Sequence, residues 1–238
     1  MQIPEILFED DFLLVVNKPP GIAVIPERQG NAASLYEVML QHTPHLWVVH
    51  RIDKQTSGVV LFAKTEEAHR HVSLQFQEHT VGKLYKAIVQ GKPKALSGEI
   101  DAPIAESMTK RGTMLVHARG KAALSLYNTA ESFRHASLLD VEIKTGRTHQ
   151  IRVHLAHIGC PLLVDEVYAK TKAFYFSSIK SNYKSSGETE RPTIARLTLH
   201  ACKLSIVHPH TGLRIHFEAP LPKDLETVLK LLRKYDKV

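Results

Sequence analysis

His50-Arg51-Ile52-Asp53-Lys54-Gln55-Thr56-Ser57-Gly58 separates two apolar runs, residues 46–49 before it and residues 59–62 after it. Both runs have the length and composition of strands, so the stretch between them is predicted to be a loop that carries one acid. The two hydroxyl residues and the glycine at its end suit a tight turn. Arg51 and Lys54 favour an ionised Asp53, because nearby positive charge stabilises a carboxylate. Taken alone, this pattern favours a salt-bridged turn over a catalytic site.

The composition is that of a packed globular protein. Of the 238 residues 43% are apolar, and 31 Lys and Arg against 24 Asp and Glu give a net charge of +7, which favours a polyanionic partner. No apolar run approaches the roughly 20 residues of a membrane span, and the first five residues lack the features of a secretory signal. We therefore expect a cytoplasmic protein that does not enter a membrane. Cys160 and Cys202 are too few for a disulfide framework and are expected to be small buried residues.

The periodicity of apolar residues predicts strands that alternate with a few helices. Strands are predicted at 12–16, 84–90, 113–117, 123–128, 137–143, 196–207 and 213–219. Helices are predicted from Ser34 to about His42, after Thr65, from Thr148 to about Ile158, and at the C-terminus with Leu225, Val228, Leu229 and Leu232 on one face. Residues 92–112 are predicted to be connecting structure. The spacing favours hairpins, so the fold class is a mixed α/β (α+β) domain with a central, largely antiparallel sheet and peripheral helices.

Several polar residues lie where ligands often bind. Lys18 lies in the stiff loop Asn17–Gly21, where it is either a phosphate contact or a solvated loop charge. Tyr85 points to the inner face of its strand, as a core residue or as a ring that stacks on a base. Arg147 lies at a helix N-terminus, a suitable place to receive a carboxylate or a phosphate. Lys121 is expected to be a surface contact.

Four motifs together resemble one family. His50–Gly58 is similar to the H-R-L-D-x-x-T-S-G signature of RluA-like RNA pseudouridine synthases, with Ile52 for the usual Leu. Residues 17–21 resemble the family's N-K-P-x-G, residues 85–91 its Y-x-A-x-V-x-G, and residues 146–155 its G-R-T-H-Q-I-R-V-H-L. The motifs occur in the family's order, between about residue 5 and about residue 222.

The resemblance implies that the chain isomerises uridine to pseudouridine at a specific site in structured RNA. Asp53 is then the essential carboxylate, which attacks the base, attacks the sugar or takes a sugar proton. Arg147 would pair with Asp53, and Tyr85 would stack on the uracil and take the C5 proton, directly or through water. Arg51 would fill the space that an extruded base leaves, and Lys18 and Lys121 would contact the substrate. Neither a metal nor an organic cofactor is implied.

The resemblance also implies how the chain is organised. We expect one catalytic domain over residues 1–238, with an insertion at 170–193 that either contacts RNA through its lysines and aromatic rings or is a passive surface segment. The first motif begins near residue 5, so we expect no N-terminal S4-type RNA-binding domain. The target is ribosomal or transfer RNA. We expect a monomer without an obligate protein partner.

Two other classes of protein are open to test. The first is an RNA-binding module that has kept this fold without catalysis, which would lack Asp53 or Tyr85, whereas the chain has both. The second is a metal-dependent hydrolase built on histidines. Its best candidates, His149, His154 and His157, are spaced i, i+5 and i+8, which does not present three imidazoles on one helix face.

Overall fold

The computed structural model describes residues 3–27, 32–180, 183 and 189–237. Their strands and helices, in chain order, are β1 (Ile6–Glu9), β2 (Leu13–Lys18), α1 (Leu35–Leu40), β3 (Trp47–Val48), β4 (Ser57–Ala63), α2 (Glu66–Gln77), β5 (Gly82–Gln90), β6 (Ser97–Asp101), β7 (Ile104–Glu106), β8 (Met114–Val116), β9 (Leu124–Ser132), β10 (Ala136–Ile143), α3 (Gln150–His157), β11 (Leu199–Val207), β12 (Arg214–Glu218) and α4 (Lys223–Tyr235). The predicted class, a mixed and largely antiparallel sheet with peripheral helices, is confirmed.

The chain forms two compact units. The first contains Met1–Tyr85 and His200–Pro220, and the second contains Lys86–Leu199 and Leu221–Val238. Each unit therefore has its own packing, which is described separately below. One catalytic domain over residues 1–238 stays a prediction.

In the first unit, β2 and β4 form the buried middle of the sheet. β2 is antiparallel to β1 and to β4, and β12 is antiparallel to β11. β11 runs parallel to β4, with Ala201 opposite Gly58. A Cβ on Gly58 would lie 2.1 Å from the carbonyl oxygen of Ala201, and its φ is +117°. Only glycine therefore fits where the Asp53 loop leads into β4.

Both faces of β2 and β4 are covered, as the continuous apolar run at residues 12–16 predicts. Leu13, Val15 and Leu61 belong to one apolar cluster, which includes Val72 of α2. The alternate residues of β2 and β4 belong to a second cluster, which includes Leu35, Val38 and Met39 of α1. The helices form where predicted: the Ser34 capping box opens α1, and the Thr65 hydroxyl accepts the Ala68 N–H at the start of α2.

In the second unit, a meander of antiparallel strands packs against the C-terminal helix. β9 is antiparallel to β10 and to β6, and β7 and β8 form a separate hairpin. The predicted apolar face of α4 is buried against residues of β10 and of the loops. Cys160 in this unit and Cys202 in the first unit are both buried, as predicted.

Three features of the elements differ from the predictions. Residues 92–112 contain β6 and β7, which sequence periodicity misses because β6 has a single deeply buried apolar residue, Ile100. β1 was likewise not predicted. Helix α3 begins at Gln150 and is preceded by His149 with φ +55°, so Thr148 does not cap it. The Gln150 side chain instead accepts the N–H of Arg147, before the helix begins, and α3 has no side-chain cap.

The Phe176 ring of the 170–193 segment packs on Tyr235 of α4. The Phe176 ring centroid lies 5.0 Å from that of Tyr183 and 4.9 Å from that of Tyr235, edge-on in both cases. The Lys180 ammonium lies over the Phe176 and Tyr235 rings. RNA contact by this segment stays a prediction, and residues 181–182 and 184–188 lie outside the described part.

Candidate active site

The Asp53 loop occupies residues 49–56, between β3 and β4. The Thr56 N–H donates to the Asp53 carbonyl at 3.0 Å, which closes a turn just before β4 begins. Within the loop Asp53 is half-buried and Arg51 is exposed. The Asp53 backbone is therefore held in a turn just before a core strand, with an exposed arginine two residues before it.

Lys18 holds this loop against the Asn17–Gly21 loop. Its side chain is 0% exposed, and its ammonium donates to the carbonyl oxygens of Lys54 at 3.0 Å, Pro19 at 2.9 Å and Ile22 at 2.9 Å. The Gly21 N–H also donates to the Lys54 carbonyl, at 2.8 Å. A buried charge is tolerated only when hydrogen bonds compensate it, and here they join the two loops. The predicted contact of Lys18 with the substrate stays a prediction; the observed contacts give it a structural role.

We expect Lys18→Met to destabilise the protein by about 3 kcal/mol or more. Methionine fills a similar volume but leaves buried carbonyls without their donor, each at a cost of about 1–3 kcal/mol. The matched control is Lys54→Met, because the Lys54 ammonium pairs with Glu27 at the surface, at 2.6 Å, and such pairs contribute less than about 1 kcal/mol. Denaturant titration of both variants measures the difference, and equal losses would contradict the role of Lys18.

His50 anchors the start of the loop to β4. Its Nε2 accepts the Leu61 N–H at 3.0 Å, and its ring stacks on Phe76 with 4.8 Å between centroids. Residues 57–58 of β4 pair with β11, and residues 62–63 pair with β3. Leu61 lies between these two sets. Burial lowers the pKa of His50 to about 3, so the ring is neutral and its Nε2 can accept. The imidazole thus supplies the acceptor where β4 changes strand partner.

Tyr85 lies in β5 within the electrostatic range of Asp53. Burial raises the pKa of the Tyr85 phenol, and the Asp53 carboxylate and then Cys202 raise it further. The two predicted catalytic residues of the first unit are therefore neighbours in the folded chain. At neutral pH the phenol keeps its proton and is a hydrogen-bond donor.

Arg147 belongs to the second unit, where Gln150 fixes its backbone. The Arg147 N–H donates to Gln150 Oε1 at 3.0 Å, and its Nε donates to the Ala122 carbonyl at 2.9 Å. Gln150 is itself buried: its Oε1 also accepts the Thr145 hydroxyl, and its Nε2 donates to Ser125 Oγ. These contacts immobilise the backbone from which the guanidinium extends.

His154 completes the network that holds Gln150. Its Nδ1 lies 2.9 Å from Ser125 Oγ and its Nε2 lies 2.9 Å from the carbonyl oxygen of Ala102. Both ring nitrogens are thus engaged in hydrogen bonds inside the core. Sequence reasoning treated His154 only as a possible metal ligand and did not single out Gln150, although both lie in the motif that contains Arg147.

A pocket of about 470 Å³ opens beside Arg147 in the second unit. Lys121, which was predicted to contact the substrate, lines it and is exposed. In the first unit the structure thus places Asp53 near Tyr85 and Lys18 against the Asp53 loop, which also carries Arg51; in the second unit Arg147 and Lys121 line one pocket. The pairing of Asp53 with Arg147 stays a prediction.

The described residues contain neither a membrane-spanning helix nor a cluster of metal ligands. No helix combines the length and apolarity that crossing a membrane requires. No group of three or more His, Cys, Asp or Glu side chains among these residues is arranged to hold a metal ion.

Comparison with known proteins places the chain in a family. A family model described as RNA pseudouridylate synthase matches residues 12–157. The ribosomal large subunit pseudouridine synthase D of Zymomonas mobilis is 38% identical over 240 residues, which cover 96% of this chain and 72% of that protein. The protein of the same name from Pseudomonas aeruginosa is 40% identical over 236 residues, which cover 97% of this chain and 72% of that protein. The chain belongs to the RNA pseudouridylate synthase family.

A solved structure agrees with this assignment. Human RNA pseudouridylate synthase domain containing 4 is 27% identical, with a TM-score of 0.76 over 96% of this chain and 93% of that one. The chain is accordingly an enzyme, an RNA pseudouridine synthase, and its reaction is an isomerisation. The family that the four motifs predict is confirmed.

Proposed function

We propose that this enzyme isomerises a specific uridine of large-subunit ribosomal RNA, with the carboxylate of Asp53 as the essential catalytic group. The observation that carries the proposal is the neighbourhood of Asp53 and Tyr85, expressed in the raised pKa of the phenol. The RNA is inferred from the names of the relatives from Zymomonas mobilis and Pseudomonas aeruginosa. Transfer RNA is the alternative substrate.

The reaction exchanges one bond to the ribose for another. The N1–C1′ bond of the uridine breaks, the uracil turns, and a C5–C1′ bond forms. C5 then loses its proton and N1 gains one, so atoms and charge balance without a second substrate. The enzyme must hold the detached base and move two protons.

Asp53 is suited to begin this exchange. An ionised carboxylate held beside an extruded uridine can attack the base, attack the sugar or take a sugar proton, and each route gains from fixed orientation. Lys18 and His50 support this assignment, because buried Lys18 donates to the loop carbonyl of Lys54 and His50 accepts the Leu61 N–H of β4. The substrate would therefore meet a carboxylate on a loop that these hydrogen bonds hold in place.

Tyr85 would serve the later steps. Its ring can stack on the uracil, and its protonated phenol can donate a hydrogen bond to the detached base. To accept the C5 proton, the phenol must first pass on its own proton, and a raised pKa then makes the phenolate a stronger base. The atom of the detached base that accepts the hydrogen bond from the phenol would be N1, because N1 carries a proton in the product.

Arg147 would stabilise the charge of Asp53, and Arg51 would fill the space that the extruded uridine leaves. The Arg147 guanidinium would pair with the Asp53 carboxylate and hold it ionised. Exposed Arg51 would enter the RNA helix and occupy the place of the extruded uridine. The net charge of +7 fits a polyanionic substrate.

Pseudouridine mapping in cells tests the choice of RNA. We expect deletion of the gene in the source organism to remove pseudouridine from one or a few positions of large-subunit ribosomal RNA, and a plasmid copy to restore them. The Asp53→Asn copy should not restore them. Losses confined to transfer RNA would contradict the ribosomal substrate.

A further inference from the structure

The strongest unassigned feature is the pocket in the second unit, defined here by Arg119, Lys121, Gly146, Arg147 and Thr148 and called the Arg119 pocket. We propose that this pocket binds a backbone phosphate of the substrate RNA, with Arg119 and Lys121 as the anion contacts. The proposal rests on the proposed function, because it names where the RNA backbone lies beside Arg147. Arg119 belongs to none of the four motifs.

The pocket has an excess of positive charge. Arg119, Lys121 and Arg147 face one acid, Glu106. The Glu106 carboxylate accepts the Gly112 N–H at 3.0 Å, which ties it to the β7–β8 turn. In the described part of the chain, neither Arg119 nor Lys121 is in a salt bridge. Their charges are therefore available to an anion from outside.

The wall that carries the two cations is rigid. Lys121 and Ile104 exchange two backbone hydrogen bonds, at 2.9 and 2.8 Å. The Gly120 N–H donates to His117, and a Cβ on Gly120 would lie 2.5 Å from the Ile104 backbone. The turn must therefore have glycine between the two cations, and it presents both to the same pocket.

The opposite wall leaves room for a ligand. Apart from Gly146 and its two chain neighbours, no heavy atom of the described residues lies within 4 Å of the place where a Cβ on Gly146 would be. Thr148, two residues further, is exposed and offers a hydroxyl. Ordinary ligand pockets have volumes of about 300–1,000 Å³, so one of about 470 Å³ admits a phosphate with part of its nucleotide.

The side chains that line the pocket favour a phosphate group over a nucleobase as its ligand. Proteins grip unpaired bases with aromatic rings, and none of the residues that line the Arg119 pocket is aromatic. Arginine and lysine with a hydroxyl are the side chains that contact phosphate oxygens. The pocket would thus position the RNA without reading its sequence.

The test compares two double variants that lose the same charges. Arg119→Ala/Lys121→Ala removes the two proposed contacts. Arg70→Ala/Lys94→Ala removes one arginine and one lysine that are exposed elsewhere. A labelled 20-nucleotide oligouridine is titrated with each protein at several salt concentrations, and melting curves verify folding. This assay does not depend on catalysis, so it remains informative if the proposed reaction fails.

We expect the Arg119/Lys121 variant to bind roughly tenfold more weakly at low salt. The slope of log K against log salt should fall by about 1.4, since each contact with single-stranded RNA contributes about 0.7. The control pair should keep the wild-type slope. An unchanged slope, or an equal fall in both pairs, would overturn the proposal.

Gly146→Ala probes the opposite wall without removing charge. The added methyl group meets no protein atom within 4 Å, so we expect an unchanged melting temperature. It would occupy space beside the bound phosphate, so oligouridine affinity should fall severalfold. Wild-type affinity in this variant would contradict a phosphate at Gly146.

Discussion

The Asp53→Asn variant is expected to form no pseudouridine above background, a loss of roughly 10³-fold or more. Asparagine keeps the size of the side chain and an acceptor oxygen, but it has no anionic oxygen. It can therefore neither attack the base or sugar nor take a sugar proton, so the loss follows under all three routes. The measurement is the pseudouridine content of a large-subunit ribosomal RNA transcript after digestion to nucleosides.

The fold and RNA binding should survive this change. Asp53 is half-buried, and Lys18 and His50 hold its loop through the Lys54 carbonyl and the Leu61 N–H. RNA affinity should be kept or should rise, because a negative charge leaves a site that receives a polyanion. Asp11→Asn, an exposed acid in the turn before β2, is the matched control and should keep full activity. Normal turnover by a folded Asp53→Asn protein would remove Asp53 from catalysis.

The largest expected effect on stability is that of Asp165→Ala. Asp165 accepts two hydrogen bonds from Arg152, at 2.7 and 3.0 Å, and both side chains are buried. It also accepts the N–H groups of Val167 and Tyr168. Removing one partner of a buried ion pair costs about 3–5 kcal/mol, because the other charge remains in the core. For a chain of this size that lowers Tm by on the order of 10 °C.

A surface pair with the same chemistry provides the control. Glu131 accepts two hydrogen bonds from Arg233, at 2.7 and 2.5 Å, but the Arg233 side chain is 51% exposed. Glu131→Ala should cost less than about 1 kcal/mol, because water already screens the pair. Thermal and denaturant unfolding of the two variants measures the contrast. Similar losses would show that burial of the Arg152 pair contributes little.

Elements with strong apolar patterns could be predicted from the sequence. The continuous run before Asn17 predicts a strand covered on both faces, and the i, i+3, i+4 spacing of Leu225, Val228 and Leu229 predicts the buried face of α4. Capping chemistry likewise predicts where α1 and α2 begin. In these elements the local preference of the chain and its tertiary environment agree.

Short and polar elements could not be predicted. β6 and β7 have few buried residues, so their pairing decides their structure and the sequence alone resembles a loop. Helix α3 begins after a left-handed His149 and without a side-chain cap, and the Gln150 side chain returns to the Arg147 N–H. That hydrogen bond belongs to a buried network with His154, one turn further along α3, and with Ser125, which is distant in sequence.

The candidate site residues divide in the same way. The family motifs predict roles for Asp53 and Tyr85, and the Asp53 carboxylate is, after burial, a cause of the raised pKa of the Tyr85 phenol. The contacts of Lys18 with three carbonyls could not be read from a loop motif, where a lysine suggests a phosphate contact. In the sequence, the Arg119 pocket is indicated only weakly, by a basic residue on each side of Gly120. The residues that line the pocket are brought together by the fold.

The most direct test of the central claim is tritium release from the C5 position of uridine in a large-subunit ribosomal RNA transcript. Purified wild-type and Asp53→Asn proteins are compared under single-turnover conditions, with RNA binding verified for both. We predict that the wild-type protein releases tritium to a plateau of about one equivalent per target uridine and that the variant releases none. Equal release by the two proteins, or no release by a wild-type protein that binds the transcript, would contradict it.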